Sequence, residues 1–292
     1  MGGAPAVILR QMTGEDIDFA TALTRAAGWA SESMDSFAAF LEHDPAGCFL
    51  AEASGEKAGV CIATRYERSG FIGELVVSRP LRLLGIGQLL FQRALDYLLA
   101  AGLETLYLDG DLNAVSYYEK MGFRKLCRSL RFRGKFKGRK HDHIRFLRPG
   151  DMDRLCALDR ELFGDDRSFF LRRRLATFPR NCLVAERGGE IRGWIMARPG
   201  DGLLAVGPWA ALAPEEAAPL LEHLASEHGT EALRVGVLDT NSEAVRLLRA
   251  WPGLQEGIHS WRMVRRDGDA AGLQGLLGDH PALYAIGSGA KG

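Results

Sequence analysis

Residues 71–88 read FIGELVVSRPLRLLGIGQ. The apolar, β-branched run over 71–78 predicts a strand, the short loop after it holds Arg82, Gly85 and Gly87, and a helical pattern begins at Gln88. A strand that feeds glycines at the mouth of a helix is the local design of an anion site. The glycines let a ligand's phosphates approach main-chain N–H groups that have no intrahelical partner, and the positive end of the helix dipole favours their charge.

The flanking sequence supports a sheet with helices packed on it. Downstream, Phe91, Ala94, Leu95 and Leu98 form one apolar stripe that ends near Gly102, and a strand is expected over 105–108. Asp111-Leu-Asn-Ala114 then opens a short helix with Ala114, Tyr118 and Met121 on one face, stopped by Gly122, before a last strand over 126–132. Upstream, strands are expected over 7–12, 47–52 and 58–63 and helices over 17–27 and 34–42, with Ser54-Gly55-Glu56-Lys57 as a hairpin turn.

At 292 residues and 47% hydrophobic, the chain suits two domains better than one. Lys plus Arg and Asp plus Glu both number 37, so no global field recruits nucleic acid or an anionic membrane. No apolar run approaches the roughly 18 residues of a membrane span, and the expectation is a soluble, cytoplasmic protein. The five cysteines, 48, 61, 127, 156 and 182, are scattered and read as core thiols, not as a disulfide framework or a zinc site.

The second half repeats the first. Residues 16–23 align with 151–158, Arg10 with Arg145, 47–52 with 181–186, Leu108-Asp109 with Leu238-Asp239, and Ala114-Val115 with Ala244-Val245. Between the copies, residues 133–143 read RGKFKGRKHDH, the most basic stretch. Nucleic-acid contact is one reading and a solvated linker the better one, because the patch is short and the rest of the chain neutral. His141 and His143 have no nearby third ligand candidate, so no metal site is expected.

The copies differ where chemistry would sit. Opposite residues 82–87 the second copy has Ala213-Pro-Glu-Glu-Ala-Ala218, which places two carboxylates where the first copy would hold phosphate. Tyr118 falls on Leu248, and Met121-Gly122-Phe123 on Trp251-Pro252-Gly253.

The order Arg82-x-x-Gly85-x-Gly87 after a strand, joined to Asp111-x-x-Ala114-x-x-x-Tyr118-Glu-Lys-Met-Gly-Phe123, resembles the general N-acetyltransferase (GNAT) family across nearly all of the first copy. The whole chain is similar to the tandem type with a degenerate C-terminal copy. The resemblance implies an α/β (α+β) fold of two GNAT-like units, each a mixed, twisted and splayed sheet flanked by helices: residues 1–135 catalytic, 136–143 a basic linker, 144–292 degenerate. It implies acetyl-CoA as acetyl donor, with pantetheine along the main chain of Leu75, Val76 and Val77, and the pyrophosphate on Leu83, Leu84, Gly85, Ile86, Gly87 and Gln88. Arg82 would contact phosphate or cap the loop. Two departures stand out: Asp111 replaces the family's usual Asn, and the proline after the strand is displaced by one, to Pro80.

Acetyl transfer to an amine needs a neutral amine, a polarised carbonyl and a proton for the departing thiolate. Tyr118 is the candidate proton donor, beside the CoA sulfur by resemblance; the alternatives are a core tyrosine, or Tyr117 if the helix register is shifted. A main-chain N–H of Val76 or Val77 would polarise the carbonyl. Glu74 would share a strand face with Val76 and Ser78 and is the candidate base, its pKa raised by apolar neighbours, or else a structural carboxylate paired with an arginine. Asp109 is a second candidate base, although its persistence as Asp239 favours a structural role. The expected function is N-acetylation of a primary amine of a small molecule or peptide, without metal, nucleic acid or membrane, by a monomer or homodimer. The alternative is a non-catalytic acyl-CoA-binding module. The second copy is expected to wall the acceptor cleft, with the glycine-rich tail 285–292 nearby.

Overall fold

A computed structural model describes residues 6–29, 33–200, 202–229, 232–266, 278 and 280–292. The first copy runs β1 (Val7–Gln11), α1 (Ile17–Ala26), α2 (Met34–His43), β2 (Cys48–Ala53), β3 (Glu56–Arg65), β4 (Ser69–Val77), α3 (Ile86–Ala100), β5 (Thr105–Gly110), α4 (Val115–Lys120) and β6 (Arg124–Gly134). The second repeats that order as β7 (Ile144–Phe146), α5 (Met152–Phe163), α6 (Ser168–Thr177), β8 (Cys182–Arg187), β9 (Glu190–Gly200), β10 (Leu203–Ala211), α7 (Pro214–His228), β11 (Ala232–Leu238), α8 (Ser242–Ala250) and, after a short extra strand β12 (Leu254–Glu256), β13 (Ser260–Arg266), and then adds β14 (Leu283–Ala285). The expected apolar stripe of α3 is buried against the sheet: Phe91, Ala94, Leu95 and Leu98 lie in one cluster with Phe49, Ile72 and Leu106. Burying a Leu or Phe contributes about 1.5–3 kcal/mol, so this stripe alone fixes where α3 lies.

The strands form one mixed sheet in the order β1-β2-β3-β4-β5-β13-β6-β11-β10-β9-β8-β7. The two copies exchange strands in its middle. β13, from the second copy, lies between β5 and β6 of the first and is antiparallel to both. The far half of β6 in turn pairs with β11 and β12 of the second copy. A reciprocal pair of ionic contacts pins the exchange: Asp109 of β5 accepts from Arg262 of β13, and Asp239 accepts from Arg128 of β6. Asp109 also binds Arg131 and Ser129, both at 2.8 Å.

Burial works against the charge of Asp109, yet Arg262 and Arg131 outweigh it and hold the carboxyl below its ordinary value. Arg262 has no exposed surface, and Asp109→Ala would leave it buried and unpaired. That substitution is expected to cost about 3–5 kcal/mol of stability in urea unfolding; a loss under about 1 kcal/mol would contradict the clamp. The sign with pH follows from the depressed folded pKa. The contribution is whole above the unfolded value of about 4 and disappears as pH falls through the lower folded value.

Two local features shape the site. β4 pairs with β5 only over residues 69–71 against 105–107, so the two strands part beyond Phe71. In β4 itself, Gly73 pairs with Ile62 and Val76 with Val60, which leaves Glu74, at φ +50°, as the extra residue of a bulge. The bulge corrects the simple alternation expected from sequence. Beyond it Leu75 packs on the α3 side with Ile72, Val76 packs on the opposite side with Phe71, and Glu74 stands outside the pattern.

In the second copy β10 and β11 likewise pair only over 203–206 with 232–235, but there β14 takes the vacated edge at Trp209 and Ala210. The basic segment between the copies is not a free solvated linker. Arg139 and His141 both reach Glu222 of α7 at 2.7 Å, Lys140 reaches Glu227 at 2.8 Å, and Phe136 stacks on Trp251 at 4.8 Å.

Candidate functional site

The glycine loop ends in α3, which starts at Ile86, two residues earlier than the sequence pattern predicts. Gly85 is therefore the N-cap, at φ +80°, and Gly87 lies in the first turn. The N–H groups of Gln88 and Leu89 return to the Gly85 carbonyl at 3.0 and 3.1 Å, so the helix is closed behind the loop while its first N–H groups face outward. No acidic residue stands in this first turn. Gly85 is required by its backbone, since a side chain at positive φ is strained. Gly87 is not: a Cβ there would meet nothing nearer than a Val77 methyl at 3.6 Å, an ordinary contact. Packing within the protein does not require that glycine, and the space it leaves lies on a groove. Arg82 donates from Nε to the Val77 carbonyl at 3.1 Å, which ties the loop to the strand end.

From this loop a groove of about 820 Å³ runs along Leu75, Val76 and Val77 to the bulge at Glu74 and to α4. Of the residues expected from sequence, Arg82, Leu83, Gly85, Ile86, Gly87, Gln88, Asp111, Tyr118 and Glu74 line it; Leu84 does not. Sequence reading missed Trp29 and Asn113. Trp29 follows Gly28 outside any apolar stripe, a weak signal in a loop.

Tyr118 and Tyr117 both line the groove. Tyr118 packs tilted against Phe91, at 5.2 Å between ring centres, and lies over Gly110, where a Cβ would come within 3.0 Å of its ring. Burial raises the Tyr118 phenol well above its ordinary value, and Tyr117 is raised for the same reason. Asp111 has solvent on one side, yet the protein around it desolvates its carboxyl enough to raise the pKa. The cysteines have no disulfide partners; Cys61, opposite the bulge, is fully buried and its thiol is pushed up by desolvation.

A second cavity, of about 610 Å³, meets the groove at Gly73, Glu74 and Asp109. The second copy supplies its far wall through Arg198, Arg234 and His259, and the tail closes it through residues 286–290. The tail is seated rather than draped. A Cβ on Gly73 would lie 2.3 Å from that of Ala290, Tyr66 donates to the Lys291 carbonyl at 2.8 Å, and Lys291 Nζ lies 4.5 Å from the centre of the Phe40 ring.

The equivalent helix end in the second copy is acidic. Pro214 and Glu215 open α7, and the buried Glu216 carboxylate pairs with Arg187 and, at 2.8 Å, with His143.

Two family models match the chain: "Acetyltransferase (GNAT) family" over residues 15–123 and "Acetyltransferase (GNAT) domain" over residues 155–273. The chain is 28% identical to N-alpha-acetyltransferase 30 of Dictyostelium discoideum over 107 residues, which are 34% of this chain and 58% of that protein. A crystal structure of a putative acetyltransferase from Pyrococcus horikoshii superposes with a TM-score of 0.80 at 22% identity, covering 98% of this chain and 96% of that one. A tandem GNAT protein from the clavulanic acid biosynthesis pathway superposes with a TM-score of 0.63 at 12% identity, over 91% and 100%. Among the described residues no helix is long and apolar enough to cross a membrane. The two models, one on each copy, and the tandem architecture shared with solved relatives place the chain in the GNAT acetyltransferase family, as two GNAT domains in tandem.

Proposed function

We propose that the chain is an acetyl-CoA-dependent N-acetyltransferase acting on a primary amine of a small molecule or peptide. The observation that carries this reading is the meeting of two cavities at the Glu74 bulge, one ending at the acid-free N-terminus of α3 and the other walled by the second copy. The open side of Gly87 and the acid-free first turn of α3 fit a pyrophosphate. Bound there, acetyl-CoA would supply an acetyl group activated as a thioester.

The chain's own groups divide the remaining work. Where β4 leaves β5, main-chain N–H groups at Val76 or Val77 would polarise the thioester carbonyl. A phenol with an ordinary pKa of about 10 holds its proton at neutral pH and burial moves Tyr118 further in that direction, so it would reach the departing sulfur protonated and donate as the thiolate forms. Glu74, at the junction, would take the amine proton directly or through water. Asp109 suits that task less, since Arg262 and Arg131 hold it ionised and weakly basic.

Release of free thiol from acetyl-CoA, measured against a panel of amines, tests the reading. Peptide α-amines belong in the panel because the Dictyostelium relative is named for that reaction. Tyr118→Phe is expected to lower kcat by about ten- to a thousandfold with acetyl-CoA affinity nearly unchanged, and Tyr117→Phe to act mildly. The reverse pattern would move the acid to Tyr117. CoA binding without thiol release for any amine would favour the non-catalytic module.

A further inference from the structure

The sheet register of the second copy groups three arginines on one face. Arg198 of β9 pairs with Ala205 of β10, and Ala205 pairs with Arg234 of β11. Directly paired residues on neighbouring strands share a face, so Arg198 and Arg234 rise on either side of a methyl group, with Cα atoms about 10 Å apart, two strand spacings. Two residues along β11, Gly236 lies on the same face and pairs with Arg131 of β6. Ala205 thus leaves a low floor between Arg198 and Arg234, while Gly236 is covered by the tail, since a Cβ there would meet the Ile286 side chain at 3.1 Å. All five residues line the second cavity, and Arg198 is 1% exposed.

Among the described residues lining that cavity, the carboxylates are Glu74, Asp109 and Asp111, all from the first copy. Asp109 is bound to Arg131 and Arg262. The cavity is therefore polarised. Its end at the donor groove carries Glu74 and Asp111, and its end on the second copy carries Arg198 and Arg234.

We infer that the acceptor is a small amine bearing an anionic group, a carboxylate or phosphate, several bonds from its nitrogen. The amine lies at Glu74 and the anion between Arg198 and Arg234. This rests on the acetyl-transfer reading above and assigns the degenerate copy a task, that of gripping the acceptor. An arginine pair grips such an oxyanion through charge-assisted hydrogen bonds, and a neutral analogue forfeits them.

The test compares kcat/KM of the full chain for 4-aminobutanoate, 3-aminopropyl phosphate, the neutral 4-aminobutanamide and the cationic 1,4-diaminobutane. Either anionic amine is expected to exceed the amide by about ten- to a hundredfold, the loss typical of a hydrogen bond to a charged group; which of the two leads separates carboxylate from phosphate. Arg234→Gln should collapse that ratio and Arg234→Lys keep part of it, both with the KM for acetyl-CoA unchanged, which also reports an intact fold. In parallel, calorimetry measures 4-aminobutanoate and inorganic phosphate binding to the CoA-loaded chain. Binding weakened by Arg234→Gln but with no amine turned over would uphold the anion site and sink acetyl transfer. Turnover that is fastest with the amide or diamine and indifferent to Arg234→Gln would overturn the anion site and leave acetyl transfer standing.

Discussion

Calorimetric titration of the full chain with CoA is expected to give one site per chain, and Gly87→Glu to weaken it by about a thousandfold. The fold should survive, because a Cβ at Gly87 makes only an ordinary contact with Val77. The added carboxylate would project where the proposed pyrophosphate would lie, and two like charges about 4 Å apart at an effective dielectric of 20 repel by about 4 kcal/mol. Gly87→Ala separates the steric from the electrostatic part and should fall between the variant and the parent. Gly85→Glu should be as damaging to binding, with added backbone strain from φ +80°.

The second copy is expected to offer no second site, for two independent reasons. Glu215 and Glu216 put two carboxylates in the first turn of α7, the buried one paired with Arg187, and β14 occupies the edge of β10 where the strands part. Glu215→Ala should therefore leave the stoichiometry at one. Glu216→Ala is the poorer control, since it strips a partner from Arg187 and His143. A stoichiometry near two, or binding that persists in Gly87→Glu, would overturn this division between the copies.

The features legible in the sequence are those written locally. The α3 stripe and the glycine loop each occupy under twenty residues, and the repeat shows as an ordered series of short matches. The start of α3 was misplaced by two residues because glycines depress helix propensity even where one serves as cap and the next sits in the first turn. The bulge at Glu74 was hidden, because a single inserted residue leaves composition unchanged and shows only as a shift of register against β3. Gly73 was a clue of another kind: its missing side chain makes room for Ala290, more than two hundred residues away. Arg198, Ala205 and Arg234 become a group only through cross-strand register, which pattern reading of single segments does not supply. The strand exchange is the extreme case. The last strands of two similar repeats carry similar patterns, and which sheet each one joins is decided by long-range packing alone.

That exchange leads to the second large effect. A fragment of residues 1–140 retains every strand of the first copy, yet it is expected to be insoluble or to lack a cooperative unfolding transition. Without β13, β5 and β6 lose the strand between them, and the exposed edges invite aggregation. Met263 and Val264, both fully buried, would be missing from the core, at about 1.5–3 kcal/mol each. Asp109 would lose Arg262, and a broken buried ion pair costs about 3–5 kcal/mol more. Together these losses rival the whole stability of an ordinary domain, about 5–15 kcal/mol. The register suggests the repair. Ser129 of β6 lies directly opposite Ser260 of β13, so a short turn joining these positions would convert the exchanged strands into a hairpin within one chain. A fragment ending near residue 131 and continuing, after that turn, into residues 260–266 should be soluble and bind CoA where 1–140 does not. If 1–140 is soluble and fully active alone, or if the hairpin fragment behaves no better, the exchanged strand is not what holds the first copy together.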